Sequence, residues 1–161
     1  WVNMIRLFHP VQNFNRIVAR RALSTTRMAR EARGGSKPTT MNLNEMFNAF
    51  DDQWSPKIAG EINNMHLKLV KVQGDFVWHH HEDEDELFLV TKGQMKMKIK
   101  DPEERVEIVN AGEYIIIPKM VEHCPCADDE CEIILLEPKT TLNTGNIEDD
   151  AKTVKELGSL I

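Results

Sequence analysis

The stretch His79-His80-His81-Glu82-Asp83-Glu84-Asp85-Glu86 decides how this sequence is interpreted. On a β-strand, residues two positions apart point the same way, so His79 and His81 present two imidazoles to one side while His80 faces the other. The acidic turn that follows returns the chain as a hairpin. Glu86, which opens the next strand, is thereby brought beside the two histidines. Two neutral nitrogens and one carboxylate oxygen are the beginning of a metal site.

A further histidine, His123, adds to this set. Two or three histidines and one carboxylate, with positions left for water or substrate, suit one divalent transition metal, namely Mn, Fe, Ni, Co or Zn. Cu(I) prefers softer ligands, and the all-oxygen sites of Ca and Mg would not use histidine. The alternatives are a solvated hairpin at 79–86 and a hydrogen-bonded core residue at His123. A register slip by one residue would bring His80 to the site face in place of His79.

From Trp54 onward the sequence consists of short Val- and Ile-rich runs with period-two alternation, cut by Gly, Pro and Asp. In Gln94–Lys100, methionine and isoleucine alternate with lysine, so one side faces the core and the other faces water. Many short strands at nearly even spacing indicate an all-β, antiparallel sandwich or barrel. We predict strands over 57–61, 66–72, 75–81, 86–91, 94–100, 105–109, 113–117, 122–126 and 131–137.

Two motifs in this region resemble those of the cupin superfamily, whose members are double-stranded β-helix (jelly-roll) barrels. The first, Gly-x5-His-x-His-x(3 or 4)-Glu-x6-Gly, runs over 74–93, with its first glycine one residue closer to the histidines than the pattern asks. The second, Gly-x5-Pro-x-Gly-x2-His-x3-Asn, runs over 112–127. In the second motif Met120 replaces the internal glycine and Ala127 replaces the asparagine.

The resemblance covers roughly residues 54–140 and implies a jelly-roll barrel with one metal bound inside it. Carried over residue by residue, it implies that the ligands are His79, His81, Glu86 and His123. The flanking sequences are similar to a small uncharacterised group of single-domain cupins, sometimes labelled mannose-6-phosphate isomerase-like. We expect the following inward positions to be apolar: Val77, Phe88, Val90, Met95, Met97 and Ile99.

This reasoning predicts a metal-binding cupin whose partner is a small-molecule substrate or ligand. The favoured hypothesis is a metal-dependent enzyme of the oxygenase, isomerase or lyase type, acting on a small, oxygen-rich, metal-chelating substrate. The alternative is a cupin that binds a small ligand without turnover. The sequence assigns no catalytic residue beyond the metal ligands, although Lys71 is a candidate inward-facing cation.

Other side chains near the motifs are expected to be structural. Phe76 and Trp78 alternate with Val77 and His79, so they are expected to lie outside the metal face. A homodimer interface and cover by an N-terminal helix explain these aromatics equally well. An odd number of cysteines within eight positions does not make a secreted disulfide framework or paired zinc ligands, so free thiols are expected at Cys124, Cys126 and Cys131.

The flanking segments are expected to differ from the barrel. Residues 1–40 are interpreted as a mitochondrial transit peptide and linker, because positions 1–30 hold six arginines and no acidic residue. The alternative is a disordered basic tail. Apolar residues at i, i+3, i+4 and i+7 predict an amphipathic helix within 41–53. Residues 141–161 are expected to form a C-terminal helix or tail.

Charge and hydropathy limit the partners. The formal net charge is -6, and beyond residue 30 the chain carries 14 basic against 26 acidic residues. Such an acidic body repels phosphate backbones, so we expect no nucleic-acid partner. No run approaches the roughly 18–20 apolar residues that span a bilayer, so we expect no membrane insertion.

Overall fold

The computed structural model describes residues 39–161, so the predicted transit peptide and linker, 1–40, lies outside the described residues except for its last two positions. The described chain forms one short helix followed by eight strands. These are α1 (Leu43–Phe47), β1 (Lys57–Ile62), β2 (Met65–Asp75), β3 (Glu86–Lys92), β4 (Gln94–Lys100), β5 (Glu104–Asn110), β6 (Tyr114–Ile117), β7 (Glu122–Pro138) and β8 (Gly158–Ser159).

Strand β7 holds the two layers of the fold together. It pairs with β2 along its length, with β4 through its first residues and with β3 through its last ones. Strand β4 continues to β5, β3 continues to β6, and β2 continues to β1, which pairs in parallel with β8. The remaining pairings are antiparallel. The result is the predicted all-β jelly-roll fold, in the form of a sandwich whose sheet does not close into a barrel.

Three predicted strands differ from the structure. The segments 122–126 and 131–137 are parts of the single strand β7. The segment 75–81 is not a strand: β2 ends at Asp75, and the following chain makes only an isolated antiparallel bridge between His79 and His123. Alternation suggested a strand here, but the backbone kinks at Gly74, where φ is 76° and the β2–β7 register shifts.

The interior of the sandwich is apolar over most of its volume. The predicted inward residues of β3 and β4 are buried there, but Val77 is only half-buried. Ala127, which replaces the asparagine of the family pattern, is also buried in this cluster. The cluster comprises Val70, Val72, Phe88, Val90, Met95, Met97, Ile99, Val109, Ile117, Ala127, Cys131, Ile133 and Leu135.

A second apolar cluster covers the outer face of β2 and β7. Leu69 and Ile134 project from these strands, and the α1 residues Met46 and Phe47 pack on them together with Phe50. Asn42 caps the start of helix α1: its side chain accepts a hydrogen bond from the Glu45 backbone at 3.3 Å. The helix ends after five residues, so most of the predicted helical segment 41–53 is not helical.

The C-terminal residues form a tail. After Pro138 the chain runs through turns to β8, and within residues 139–161 there is no helix. Leu160 and Ile161 pack against the second apolar cluster. No helix found in residues 39–161 has both the length and the apolar character to cross a membrane.

Candidate metal centre

Three separate parts of the chain supply the predicted ligands. His79 and His81 lie on the connection between β2 and β3, Glu86 is the first residue of β3, and His123 lies at the start of β7. Backbone hydrogen bonds in both directions, of 3.0 and 2.9 Å, tie His79 to His123. Two histidine side chains are thus brought together by the sheet ladder itself.

All four side chains are buried and converge on one point. One ligand atom from each of His79, His81, Glu86 and His123 lies within 4.8 Å of the others. The Glu86 Oε2 atom lies 3.2 Å from His81 Nε2 and 3.4 Å from His123 Nε2. The structure therefore assembles a group that could hold a metal ion.

The ring orientations fit a metal ion well. The Nδ1 atoms of His79 and His123 lie 2.9 and 3.0 Å from the carbonyl oxygens of Val77 and Val121. A carbonyl can only accept, so each Nδ1 carries the hydrogen and each Nε2 carries a lone pair directed at the site. His123 Nε2, His81 Nε2 and Glu86 Oε2 are buried without a well-formed hydrogen bond. Buried polar atoms without partners are costly, and a bound cation would satisfy all three at once.

The protonation states also suit a ligand set. Burial, with a further contribution from His123, lowers the pKa of His79 to about 4, so this imidazole is neutral near pH 7. Burial alone would raise the pKa of Glu86, but the neighbouring His123 and His81 hold it below its ordinary value. Neutral imidazole and ionised carboxylate are the forms that bind divalent metals.

The C-terminal tail fixes the histidine segment. The backbone N–H of His80 donates to the Asn146 side chain at 2.9 Å, and the Asn146 backbone donates to the His80 carbonyl at 3.0 Å. On the other side, Met120 donates to the His81 carbonyl at 2.7 Å from a backbone with φ 68°. Met120 thus adopts the left-handed conformation that the glycine of the family pattern would provide.

A small apolar cavity of about 30 Å³ is lined in part by two of the four residues, His79 and Glu86. Phe76 lines it, so the prediction that this side chain lies outside the metal face is wrong. The prediction assumed strand parity, which does not hold for residues 76–78. The Phe76 ring stacks on Trp54 at 4.8 Å and meets His79 edge-on at 5.3 Å. Trp78 instead lies beneath the ammonium group of Lys100.

Two polar groups near the site were not anticipated from the sequence. Asn143 lines the cavity, and Lys68 forms a fully buried ion pair with Glu137 at 2.5 Å. Lys71, the predicted candidate for an inward cation, lies on the outer face of β2, 5.5 Å above the Phe50 ring. Lys68 shares the parity of the inward residues Val70 and Val72, and this was the available sequence signal.

A wider groove of about 690 Å³ lies elsewhere, between β5 and β6. It is open to solvent and contains none of the four converging residues. Its size alone does not make it the functional site, because it lacks the buried, unpartnered polar atoms found beside the small cavity.

Comparison with known proteins identifies the family. The family model described as "Cupin domain" matches residues 66–137. The uncharacterized protein YdbB of Bacillus subtilis (strain 168) is 33% identical over 82 residues, which make up 51% of this chain and 71% of that protein. YdbB therefore supports the family and supplies no activity.

Solved structures agree with this assignment. A cupin-2 domain containing protein from Shewanella frigidimarina is 43% identical, with a TM-score of 0.59 over 62% of this chain and 95% of that chain. Hydroquinone 1,2-dioxygenase from Sphingomonas sp. TTNP3, solved with 4-nitrophenol, shares the fold at 17% identity and a TM-score of 0.57, over 66% of this chain and 36% of that chain. The chain therefore belongs to the family of cupin-domain proteins.

Proposed function

We propose that this protein binds one divalent transition metal through His79, His81, Glu86 and His123. The observation that carries the proposal is the group of three buried atoms, two imidazole nitrogens and one carboxylate oxygen, that face one another without well-formed hydrogen bonds. Three nitrogens and one oxygen suit Mn, Fe, Ni, Co or Zn, and the donor set does not select among them.

We propose further that the metal centre is catalytic, of the oxygenase, isomerase or lyase type. A bound metal of this kind supplies Lewis acidity, or a place for O2 beside a chelating substrate. The chain itself holds the imidazoles through Val77 and Val121, and the stacked rings of Trp54 and Phe76 form an apolar wall beside them. A substrate that enters beside these apolar walls must be small, and it must gain most of its orientation from the metal.

The second candidate function is binding of a small ligand without turnover. One observation favours it: apart from His79 and Glu86, the polar side chain that lines the small cavity is Asn143. Asn143 is already engaged, since its amide donates to the Lys152 carbonyl and its oxygen accepts from the Val154 backbone. The cavity lining therefore offers no separate general acid or base.

Metal content tests the first part of the proposal. The protein is purified without an affinity His-tag, and its metals are measured by elemental analysis together with those of a His81→Ala/His123→Ala variant. We expect about one metal per chain in the wild type and none in the variant, since two of four ligands are lost. His80→Ala is the matched control and should retain the metal, because its imidazole is outside the converging group. Equal metal content in all three proteins would refute the assignment.

Catalysis is tested by a comparison with and without O2. An oxygenase loaded with Fe(II) consumes O2 in the presence of a diketone, thiol or catechol-like compound, whereas an isomerase loaded with Zn or Mn works anaerobically. A binding module does neither, but its ligand raises the melting temperature. A stabilising compound that stays chemically unchanged with every metal would favour the second candidate.

Import into mitochondria is the proposal for residues 1–40. A fluorescent protein fused behind this segment should enter mitochondria, and the same fusion with the arginines of positions 1–30 changed to glutamine should not. A wild-type fusion that stays in the cytosol would contradict the proposal.

A further inference from the structure

The ion pair between Lys68 and Glu137 is unusual for its burial. Both side chains have 0% exposure, and Lys68 Nζ lies 2.5 Å from Glu137 Oε1. Lys68 projects from β2 on the same face as Val70, and Glu137 projects from β7 on the same face as Leu135. The pair therefore lies inside the sandwich and not on its surface.

Stability does not explain such a pair. Removing two charges from water costs several kcal/mol per ion, and an apolar pair of similar volume often stabilises a protein as well or better. In addition, Glu137 Oε2 is buried without a hydrogen-bond partner. A fold that needed only packing at this position would do better with leucine or methionine, so the pair calls for another role.

The sheet register places Glu137 opposite the proposed metal ligand Glu86 on the neighbouring strand. Strand β3 pairs with β7 through Leu87 and Leu136, and one further step along this antiparallel ladder sets Glu86 opposite Glu137. Residues opposite each other on paired strands project to the same side of the sheet, so the carboxyl groups of Glu137 and Glu86 are close neighbours. Since β7 lies between β2 and β3, the three side chains follow one another across three strands in the order Lys68, Glu137, Glu86.

We infer that Lys68 and Glu137 are positioning residues of the metal centre: Lys68 anchors Glu137, and Glu137 holds the Glu86 carboxylate in the orientation that directs Oε2 at His81 and His123. This inference rests on the proposed metal site. The contacts that orient a metal ligand from behind commonly change metal affinity by 10- to 100-fold when they are removed. On this inference, the buried ion pair of Lys68 and Glu137 is retained because it orients the Glu86 carboxylate.

The test measures the affinity of metal-free protein for Zn²⁺ alone, by calorimetric titration, after thermal denaturation has shown that each variant is folded. In Lys68→Met/Glu137→Leu, we expect a folded protein whose affinity for Zn²⁺ is about 10- to 100-fold weaker.

Glu137→Gln should bind Zn²⁺ with close to the wild-type affinity, because its amide can still accept from Lys68 and donate to Glu86. The matched control is Lys92→Met/Glu132→Leu, which removes an ion pair of 3.1 Å between β3 and β7, and its affinity should not change.

If the pair served folding alone, the metal-free double variant would have a lower melting temperature but the wild-type affinity for Zn²⁺. This result would overturn the inference and leave the proposed metal site standing. If the double variant does not fold, Lys68→Met alone decides by the same criterion, since it removes the anchor and leaves the Glu137 carboxyl in place. A wild-type protein that binds no Zn²⁺, Mn²⁺ or Fe²⁺ would instead defeat the proposed metal site, and the inference with it.

Discussion

Two regions of the same interior differ in whether burial of their side chains stabilises the fold. Met95, Met97 and Val109 are buried in an apolar cluster, and burial there stabilises the fold. Around the converging histidines, buried polar atoms lack partners, and each such atom costs about 1–3 kcal/mol. Since these atoms lower the stability of the metal-free fold, stability does not explain why the polar side chains are buried there. We call the two regions the apolar part and the polar part, the latter comprising Lys68, His79, His81, Glu86, His123 and Glu137.

The largest effect on folding should come from the apolar part. Met97 is fully buried on the inner face of β4, so Met97→Ala removes packed methylenes and leaves a cavity. We expect a loss of about 2–5 kcal/mol in the free energy of unfolding of the metal-free protein. Denaturant titration measures it.

Met120→Ala is the control for this prediction, because the Met120 side chain is 64% exposed. Its effect should stay within about 0.5 kcal/mol. Similar losses for the two variants would show that Met97 does not lie in a close-packed core.

The largest effect on metal binding should come from the polar part. Glu86→Gln keeps the shape of the side chain and removes its charge, so we expect the affinity for Zn²⁺ to fall by more than about 100-fold. The metal-free protein should lose little stability, since a buried charge is removed. Calorimetric titration and denaturation measure the two quantities.

Glu84→Gln provides the comparison for Glu86→Gln. Glu84 belongs to the same acidic turn, but its carboxylate accepts from Thr140 at 3.3 Å and does not join the converging group. An equal loss of affinity in both variants would mean that the general acidity of this turn, and not ligation by Glu86, attracts the metal.

A smaller effect is expected where the tail meets the polar part. A Cβ on Gly145 would overlap the carbonyl of His80, and the φ of 51° already disfavours a side chain. Gly145→Ala should therefore cost about 1–3 kcal/mol of stability and weaken metal binding, because the histidine segment must move. Unfolding and titration together measure this coupling.

Gly112→Ala separates the two causes. Its φ of 87° carries a similar backbone penalty, but no atom lies within 4 Å of the added Cβ. This variant should lose about 1 kcal/mol and keep its metal affinity. If Gly145→Ala behaves in the same way, the tail does not position the histidines.

The three cysteines should not react with thiol reagents in the native protein. All three are free and buried, and burial raises the pKa of Cys131 to about 11 and those of Cys124 and Cys126 above the ordinary value. A thiol reagent at pH 8 should therefore react with none of them until denaturant is added, and then with three. A fast-reacting thiol in the folded protein would contradict the burial.

The convergence of the four side chains could be predicted because its signal is local. Residue types with metal-binding chemistry recur at fixed spacings over 79–86, and the family pattern extends this to His123. The alternation of Gln94–Lys100 likewise predicted β4 and its inward face correctly.

The remainder of the site depends on contacts between distant segments. Trp54 reaches Phe76 only because the chain leaves the strand pattern after Asp75, and period-two alternation carries no information about such a departure. Lys68 meets Glu137 across 69 positions, through the register of β2 on β7. Sequence spacing does not encode that register.

The measurement that tests the central claim most directly is anomalous diffraction from a crystal of the untagged protein, recorded at the absorption edge of the metal that it retains. We expect one anomalous peak per chain, at bonding distance from the Nε2 atoms of His79 and His123 and from Glu86 Oε2. A metal-containing crystal whose peak lies elsewhere, or a well-ordered site with ring nitrogens hydrogen-bonded to water and no peak, would contradict the account.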